Sequence, residues 1–192
     1  MTDTRERIAT ATRQLFDRHG LEGVSMRRVA RKVGVTAPAI YRHYDGRDEL
    51  LEEITGAAFE ILLRRLDGTL AVPGPPLERI LRLFDGYLDF ALDHPRHFDF
   101  LFLNWRPNQR TVGELKEPGA SPTVTILRAE VEAAMEAGEI RRNDVHETCL
   151  ALWAQAHGLI ALHRAGRFAD DLDGFRGLYR RSLERLIEGI AA

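Results

Sequence analysis

The stretch VSMRRVARKVGVTAPAIYRHY, Val24 to Tyr44, starts a helix twice, with room between the two for little more than a turn. Ser25 opens the first, because its hydroxyl can accept an amide that the first helical turn leaves unbonded. Val24 before that cap and Val29 inside the helix can close a hydrophobic staple. Val29, Ala30 and Val33 then share an inward face, and Arg27, Arg28, Arg31 and Lys32 stay outside. Gly34 suits the left-handed residue that ends a helix. The pattern restarts at once. Thr36 is placed to cap, Val35 and Ile40 to staple, and Pro38 falls in the first turn, where its missing N–H breaks no helical bond. Two short helices joined this tightly form a helix-turn-helix, whose second helix lies in the major groove with its N-terminal residues toward the bases.

That role accounts for an odd face. A second helix of eight residues from Ala37 is roughly 12 Å long, about the width of the major groove. Ile40 and Tyr44 point inward. Ala37, Pro38 and Ala39 make a small apolar tip that can approach thymine methyls. Arg42 can reach base edges or phosphate, and Tyr41 and His43 can donate to phosphate oxygens. Arg47 opens the next helix, where its charge and the helix amides both favour a phosphate. With Arg27 and Thr36, these residues are the candidate DNA contacts. The charge agrees: residues 1–50 hold ten Lys+Arg and seven Asp+Glu, net +3, against seventeen and twenty-two, net −5, in the remainder. A structural helix hairpin with solvated arginines, or a protein-docking module built on the aromatic side chains, would use the same spacing.

The rest of the chain reads as helix as well. Apolar residues recur at helical spacing and period-two alternation is absent, so the expected class is all-α, with about nine helices. They are expected at 4–19, from Ser25, from Thr36, 47–66, 77–94, 96–105, 123–137, 144–165 and 172–190. TLAVPGPP and RPNQRTVGELKEPGASP break the pattern, the second as a flexible loop. Two domains are expected, a helix-turn-helix head at 1–46 and a larger body at 47–192, which 192 residues with 44% hydrophobic content can support. The single cysteine, Cys149, excludes an internal disulfide framework and favours a reducing compartment. The N-terminus carries charges where a signal peptide needs an apolar core, and no run is long and apolar enough for a membrane span. A cytoplasmic protein without a membrane partner is expected. His94 and His97 lack further residues at zinc-ligand spacing, and no phosphate loop or nucleophile motif is present. No metal, cofactor or enzymatic activity is expected.

From Arg5 to about Glu53 the chain resembles the DNA-binding head of the tetracycline-repressor (TetR) family. The resemblance is carried by ATRQLFDRHGLEGVSMRRVARKVGVTAPAIYRHYDGRDELL, about a quarter of the sequence. It departs from the family pattern at Tyr44, usually Phe or Val, and at Arg47, usually Lys. The resemblance implies that Ser25, Arg28, Ala37, Pro38, Tyr41, His43 and Arg47 contact DNA. With Ala37 and Ala39 in place of longer polar groups, DNA shape is expected to contribute to recognition. ALWAQAHGLIALHRAGRF resembles a C-terminal variety of the family marked by Trp153, His157 and Gly158. The family further implies a homodimer paired through the last two helices, a double-stranded operator and a small-molecule effector in the body. Candidate effector contacts are Phe84, Tyr87, Phe90, Phe98, Phe102 and Trp105, with Asn104, Trp153, Gln155 and His157 beside them, and a largely apolar ligand is expected. Plain core packing gives the same aromatic stripe. The expected function is a transcriptional repressor released from a palindromic operator by its effector, with the loop at 106–122 gating entry. An activator with the same head, or an all-α ligand-binding protein, is the alternative.

Overall fold

The computed structural model describes residues 3–104, 121–168 and 171–191. Every regular element among them is helical: α1 (Thr4–His19), α2 (Met26–Val33), α3 (Ala37–Ile40), α4 (Arg47–Leu70), α5 (Pro76–Asp93), α6 (Pro95–Phe98), α7 (Pro122–Glu136), α8 (Val145–Arg164) and α9 (Leu172–Ile190). A 3₁₀ turn at Leu21–Gly23 and a π-helical stretch at Asp99–Leu103 complete the set. One antiparallel bridge pairs Ile140 with Ala191. The all-α reading therefore holds. Three elements differ from expectation, one of them the helix expected at 96–105, which is a four-residue α-helix continued by the π-helical stretch. α3 is half the predicted length, and α4 continues one turn further, to Leu70, because Gly68 alone does not stop it; Thr69 there bonds the Leu66 carbonyl at 2.7 Å. Residues 105–120, most of the expected gating loop, lie outside the described residues.

Contacts divide the described residues into two compact units: the first runs to Ile61 and adds Pro95–Asn104, and the second holds Leu62–His94 and the described residues from Ser121 onward. In the first, Asp3 caps α1 through the Arg5 amide, and α1 buries Ile8, Ala11 and Phe16. Val24, Val29, Ala30, Ile40, Tyr44, Leu50 and Ile54 complete that core. The Pro95–Asn104 segment closes over the end of α1. Phe16 meets the rings of Phe100 and His97, each at 5.1 Å, and His97 Nε2 stands 3.4 Å from the Asp17 carboxylate. Arg96 donates to the Asp17 carbonyl.

In the second unit α5 packs on α7, α8 and α9. It buries Ile80, Leu83, Phe84, Tyr87, Leu88 and Phe90. α9 answers with Phe175, Tyr179, Leu183 and Ile187, spaced four apart on one face. The Tyr179 hydroxyl donates to the Phe84 carbonyl at 3.0 Å, inside the core. At its rim, Asp85, Asp89 and Asp93 form a carboxylate ladder along α5. Arg176 pairs with Asp89 at 2.6 Å, Arg180 with Asp85, and Arg65 of α4 with Asp93. Burial raises the Asp85 pKa, against the pull of Arg180. Such half-exposed pairs contribute about 0.2–1 kcal/mol each and fix orientation more than they stabilise.

α4 and α5 cross closely at Gly86. A Cβ added there would sit 2.9 Å from Thr69 Cγ2 and 3.5 Å from Arg65 Cγ. Gly86→Ala gains helix propensity but forces these groups apart, so it should lower stability by about 1 kcal/mol. Thr69→Ser removes the obstructing methyl and keeps the hydroxyl. In urea unfolding, the Gly86→Ala loss should largely disappear in the Thr69→Ser background; two additive losses would disprove the contact.

Candidate functional site

The local sequence builds the α2–α3 corner largely as its residues suggest. Ser25 Oγ accepts the Arg28 amide at 3.3 Å. Val24 and Val29 are buried, whereas Val33 is half-buried. Gly34 takes a left-handed conformation, φ 80° and ψ 33°, and its N–H reaches the Ala30 carbonyl at 2.9 Å. Thr36 sits at the cap position of α3, but its side chain makes no capping bond. The reason is local. A capping oxygen accepts from the second or third amide of its helix. The second position is Pro38, which has no N–H, and the third amide, Ala39, is bonded to the Thr36 carbonyl at 3.0 Å. Past Ile40 the chain tightens into turns: the amides of His43 and Tyr44 both reach the Ile40 carbonyl, at 2.9 and 3.1 Å. The expected eight-residue helix is thus one α-helical turn followed by a tight turn.

Ile40 and Tyr44 are buried, as their spacing predicts. The Tyr44 hydroxyl donates to Glu53 Oε1 at 2.8 Å, and the Arg5 guanidinium lies 4.9 Å from the centre of its ring. Burial and the Glu53 carboxylate push its pKa up, so the phenol stays a neutral donor. Arg5 also pairs with Glu49 at 3.2 Å. None of the candidate DNA contacts is buried. Arg27, Arg28, Thr36, Pro38, Tyr41, Arg42 and Arg47 are exposed, and Ser25, Ala37, Ala39 and His43 are half-exposed. Tyr41, 55% exposed, is the aromatic that solvent sees.

The basic side chains fall into two groups, a division that sequence reasoning missed. Arg47 Nε donates to the Val24 carbonyl at 3.0 Å and its Nη2 to the Leu21 carbonyl at 2.9 Å. Arg28 Nη1 donates to the Glu22 carbonyl at 2.9 Å, and Arg7 Nη2 to the Val33 carbonyl at 2.8 Å. These side chains hold the turns on either side of α2. Among the described residues, the side chains of Arg27, Arg31, Lys32 and Arg42 make no hydrogen bond or ion pair. The hint in the sequence was the short LEGV connection: its 3₁₀ turn gives the Leu21 carbonyl one partner, the Val24 amide at 3.1 Å, and leaves that carbonyl a second lone pair for Arg47.

In the second unit, Tyr87, Trp153 and His157 come together. The Tyr87 hydroxyl lies 3.0 Å from His157 Nδ1, and the Trp153 and His157 rings are 5.6 Å apart. The Trp153 indole N–H, which can only donate, favours the ionised form of the same hydroxyl, but less than burial opposes it. Burial raises the Tyr87 pKa and lowers that of His157, so both are neutral. Gln155 is engaged elsewhere, donating to Ser182 Oγ at 2.5 Å between α8 and α9. Phe84 and Phe90 are buried in this unit. Phe98, Phe102 and Asn104 belong to the first unit, where Phe102 meets Phe98 at 5.2 Å and Phe59 at 6.3 Å. Trp105 lies outside the described residues.

Comparison with known proteins matches both parts of the chain. Residues 8–54 match the family described as bacterial regulatory proteins, tetR family, and residues 80–189 match the tetracyclin repressor-like C-terminal domain. A helix-turn-helix transcriptional regulator of Mycobacterium tuberculosis is 25% identical, over 99% of this chain and 94% of its own. The class D tetracycline repressor protein of Escherichia coli is 32% identical, over 41% of this chain and 34% of its own. A TetR-family regulator from Thermus thermophilus shares the fold over the whole of both chains, with a TM-score of 0.65 and 23% identity.

Two measurements check this geometry. Arg47→Ala should cost about 1–2 kcal/mol in urea unfolding, since it leaves the Leu21 and Val24 carbonyls without their charged donor; a change below a few tenths would show that the clamp is not formed. His157 should make stability pH-dependent. Its folded pKa lies below the ordinary 6.5, so the unfolded chain takes up the proton first, and the stability present above 6.5 is lost as pH falls toward the folded value. Between about pH 7 and 5.5 the thermal midpoint should fall more steeply in wild type than in His157→Asn. Parallel slopes would show that His157 titrates as it does when unfolded.

Proposed function

This chain belongs to the tetracycline-repressor family and is a helix-turn-helix transcriptional regulator, and we propose that it acts as a homodimeric repressor released from its operator by a small molecule. The observation that carries this reading is the α2–Gly34–α3 corner, packed by Ile40 and Tyr44 and lined outward by residues suited to DNA. In function, residues 1–46 bind DNA and residues 47–192 carry the effector and dimer surfaces. Ser25, Arg27, Arg28, Thr36 and the Ala37–Ala39 tip approach DNA with Tyr41, Arg42 and His43, and Arg47 adds a phosphate contact with the guanidinium N–H groups its clamp leaves over.

A head this small needs a second copy to read a palindrome, with recognition helices about 34–36 Å apart. Leu162 of α8 and Leu172 and Leu178 of α9 are exposed apolar residues that a partner's α8 and α9 would cover. The effector site is built around Tyr87, Trp153 and His157, with Phe84 and Phe90 as apolar wall. Neutral polar groups in an apolar setting suit a largely apolar ligand with one or two polar atoms. An effector acts only through its preference between two states; a 100-fold preference for the state with low operator affinity supplies about 2.7 kcal/mol. Among the described residues no helix is long and apolar enough to cross a membrane, and a regulator of this kind works in the cytoplasm. An activator would use the same head.

The test is fluorescence anisotropy on duplex DNA from beside the protein's own coding sequence, against an unrelated duplex, over a salt series. Wild type should bind the first tightly, and Tyr41→Ala should reduce that binding by about tenfold or more through a lost phosphate contact. Equal affinity for both duplexes, fading together with salt, would reduce the head to nonspecific charge attraction. No binding to either at low salt would leave an all-α ligand-binding protein.

A further inference from the structure

The α3 segment offers few groups able to read a base. Ala37, Pro38 and Ala39 have no side-chain donor or acceptor, and Ile40 is buried. His43 is half-buried, and Tyr41 has a single hydroxyl. Arg42 is exposed, follows directly on the end of the helical turn, and makes no hydrogen bond or ion pair among the described residues. Its situation differs from that of Arg5, Arg7, Arg28 and Arg47, which are bonded to Glu49 or to main-chain carbonyls. It differs also from Arg27, Arg31 and Lys32, which are equally unbonded but belong to α2.

A guanidinium presents parallel N–H groups that match O6 and N7 of guanine in the major groove, and such a bidentate pair discriminates among bases. Phosphate contacts position a protein but carry no sequence information. The head has other means of holding phosphate: Arg27, Arg31 and Lys32 on α2, the Tyr41 hydroxyl and the remaining donors of Arg47. It has no second side chain on the α3 segment that can donate in parallel to one base. The small tip favours the same assignment, since three short residues let the backbone come close to the groove floor and bring the next long side chain within reach of base edges.

We propose that Arg42 is a specificity-determining residue that reads a guanine, so that each half-site of the operator carries a guanine at one fixed position. The inference rests on the DNA-binding reading above and adds the chemistry of the base that is read.

The experiment is selection from a random duplex library with full-length wild type and Arg42→Ala, followed by anisotropy on the selected duplexes. Wild type should enrich paired half-sites with an invariant guanine. Arg42→Ala should enrich the same half-sites with that one position relaxed. Its affinity for the parent duplex should fall roughly 5- to 150-fold, while a duplex with that base pair exchanged binds wild type and variant alike. Arg42 is exposed and unbonded, so the variant keeps its fold, and its thermal midpoint verifies that. Three results would overturn the assignment: selected half-sites without a common guanine, unchanged selection and affinity in Arg42→Ala, or an equal loss on every duplex with the salt slope shallower by about 0.9 per half-site, which marks a phosphate contact. Failure of wild type to select any sequence is a different result, because it removes the regulator reading itself.

Discussion

The candidate DNA surface of this protein depends on one buried phenol. Tyr44 ends the α3 segment, and its hydroxyl reaches Glu53 on α4 while Arg5 of α1 lies against its ring. Three helices are thereby referred to a single side chain. A one-turn helix such as α3 has no stability of its own, because helix nucleation is unfavourable and only a few bonds follow it. Its orientation has to come from packing at both ends: Ile40 inside the turn and Tyr44 beyond it. Where the family usually has Phe or Val, the hydroxyl adds a hydrogen bond and also a demand, since a buried phenol without a partner would destabilise. Glu53 meets that demand, and its charge together with burial keeps the phenol protonated.

The second unit uses polar groups differently. The α5 ladder of Asp85, Asp89 and Asp93 sits at the rim, where solvent weakens each pair and the gain is alignment of α4, α5 and α9. Inside, Trp153, Tyr87 and His157 gather in one cluster, with the Tyr87 hydroxyl 3.0 Å from His157 Nδ1 and the Trp153 and His157 rings 5.6 Å apart. Ordered polar groups of this kind, held neutral by burial, recognise a ligand by hydrogen bonding without adding a charge that burial would oppose. Trp153 and His157, two of the three residues that carry the C-terminal resemblance, belong to this cluster; at Gly158 an added Cβ would meet nothing within 4 Å among the described residues.

Much of this was legible in the sequence because it is local. Helix starts, the Gly34 stop, the inward Ile40 and Tyr44 and the buried stripe of α9 follow from spacing and caps that act over a few residues. The errors are also local, but they turn on competition for the same amides: Thr36 has the right identity for a cap, and Pro38 with the Ala39–Thr36 bond leaves it no donor. What could not be read is anything set by a distant partner. Phe98 and Phe102 share the aromatic, helix-spaced character of Phe84 and Phe90, yet they pack in the other unit, because the segment after Pro95 turns back onto the end of α1. Gln155 resembled a pocket residue, and only the position of Ser182 shows that it joins two helices.

The arginines make the same point more sharply, because here residue type carries no information at all. Of 27 basic residues only Lys32 and Lys116 are lysine, so one side chain serves most cationic roles. A guanidinium can donate along two directions from one plane, which lets Arg47 bridge the carbonyls of Leu21 and Val24; an ammonium on a flexible stem is a point charge without that fork. The same fork, left unbonded on Arg42, is suited to a base edge. Which of these an arginine does depends on whether the fold brings main-chain carbonyls with a lone pair to spare within its reach. At Arg47 the 3₁₀ turn does so, and at Arg42, one residue past the Tyr41 cap of α3, nothing among the described residues does. Holding the head together and, as proposed for Arg42, reading DNA therefore fall to chemically identical groups, separated by the position of a few main-chain oxygens.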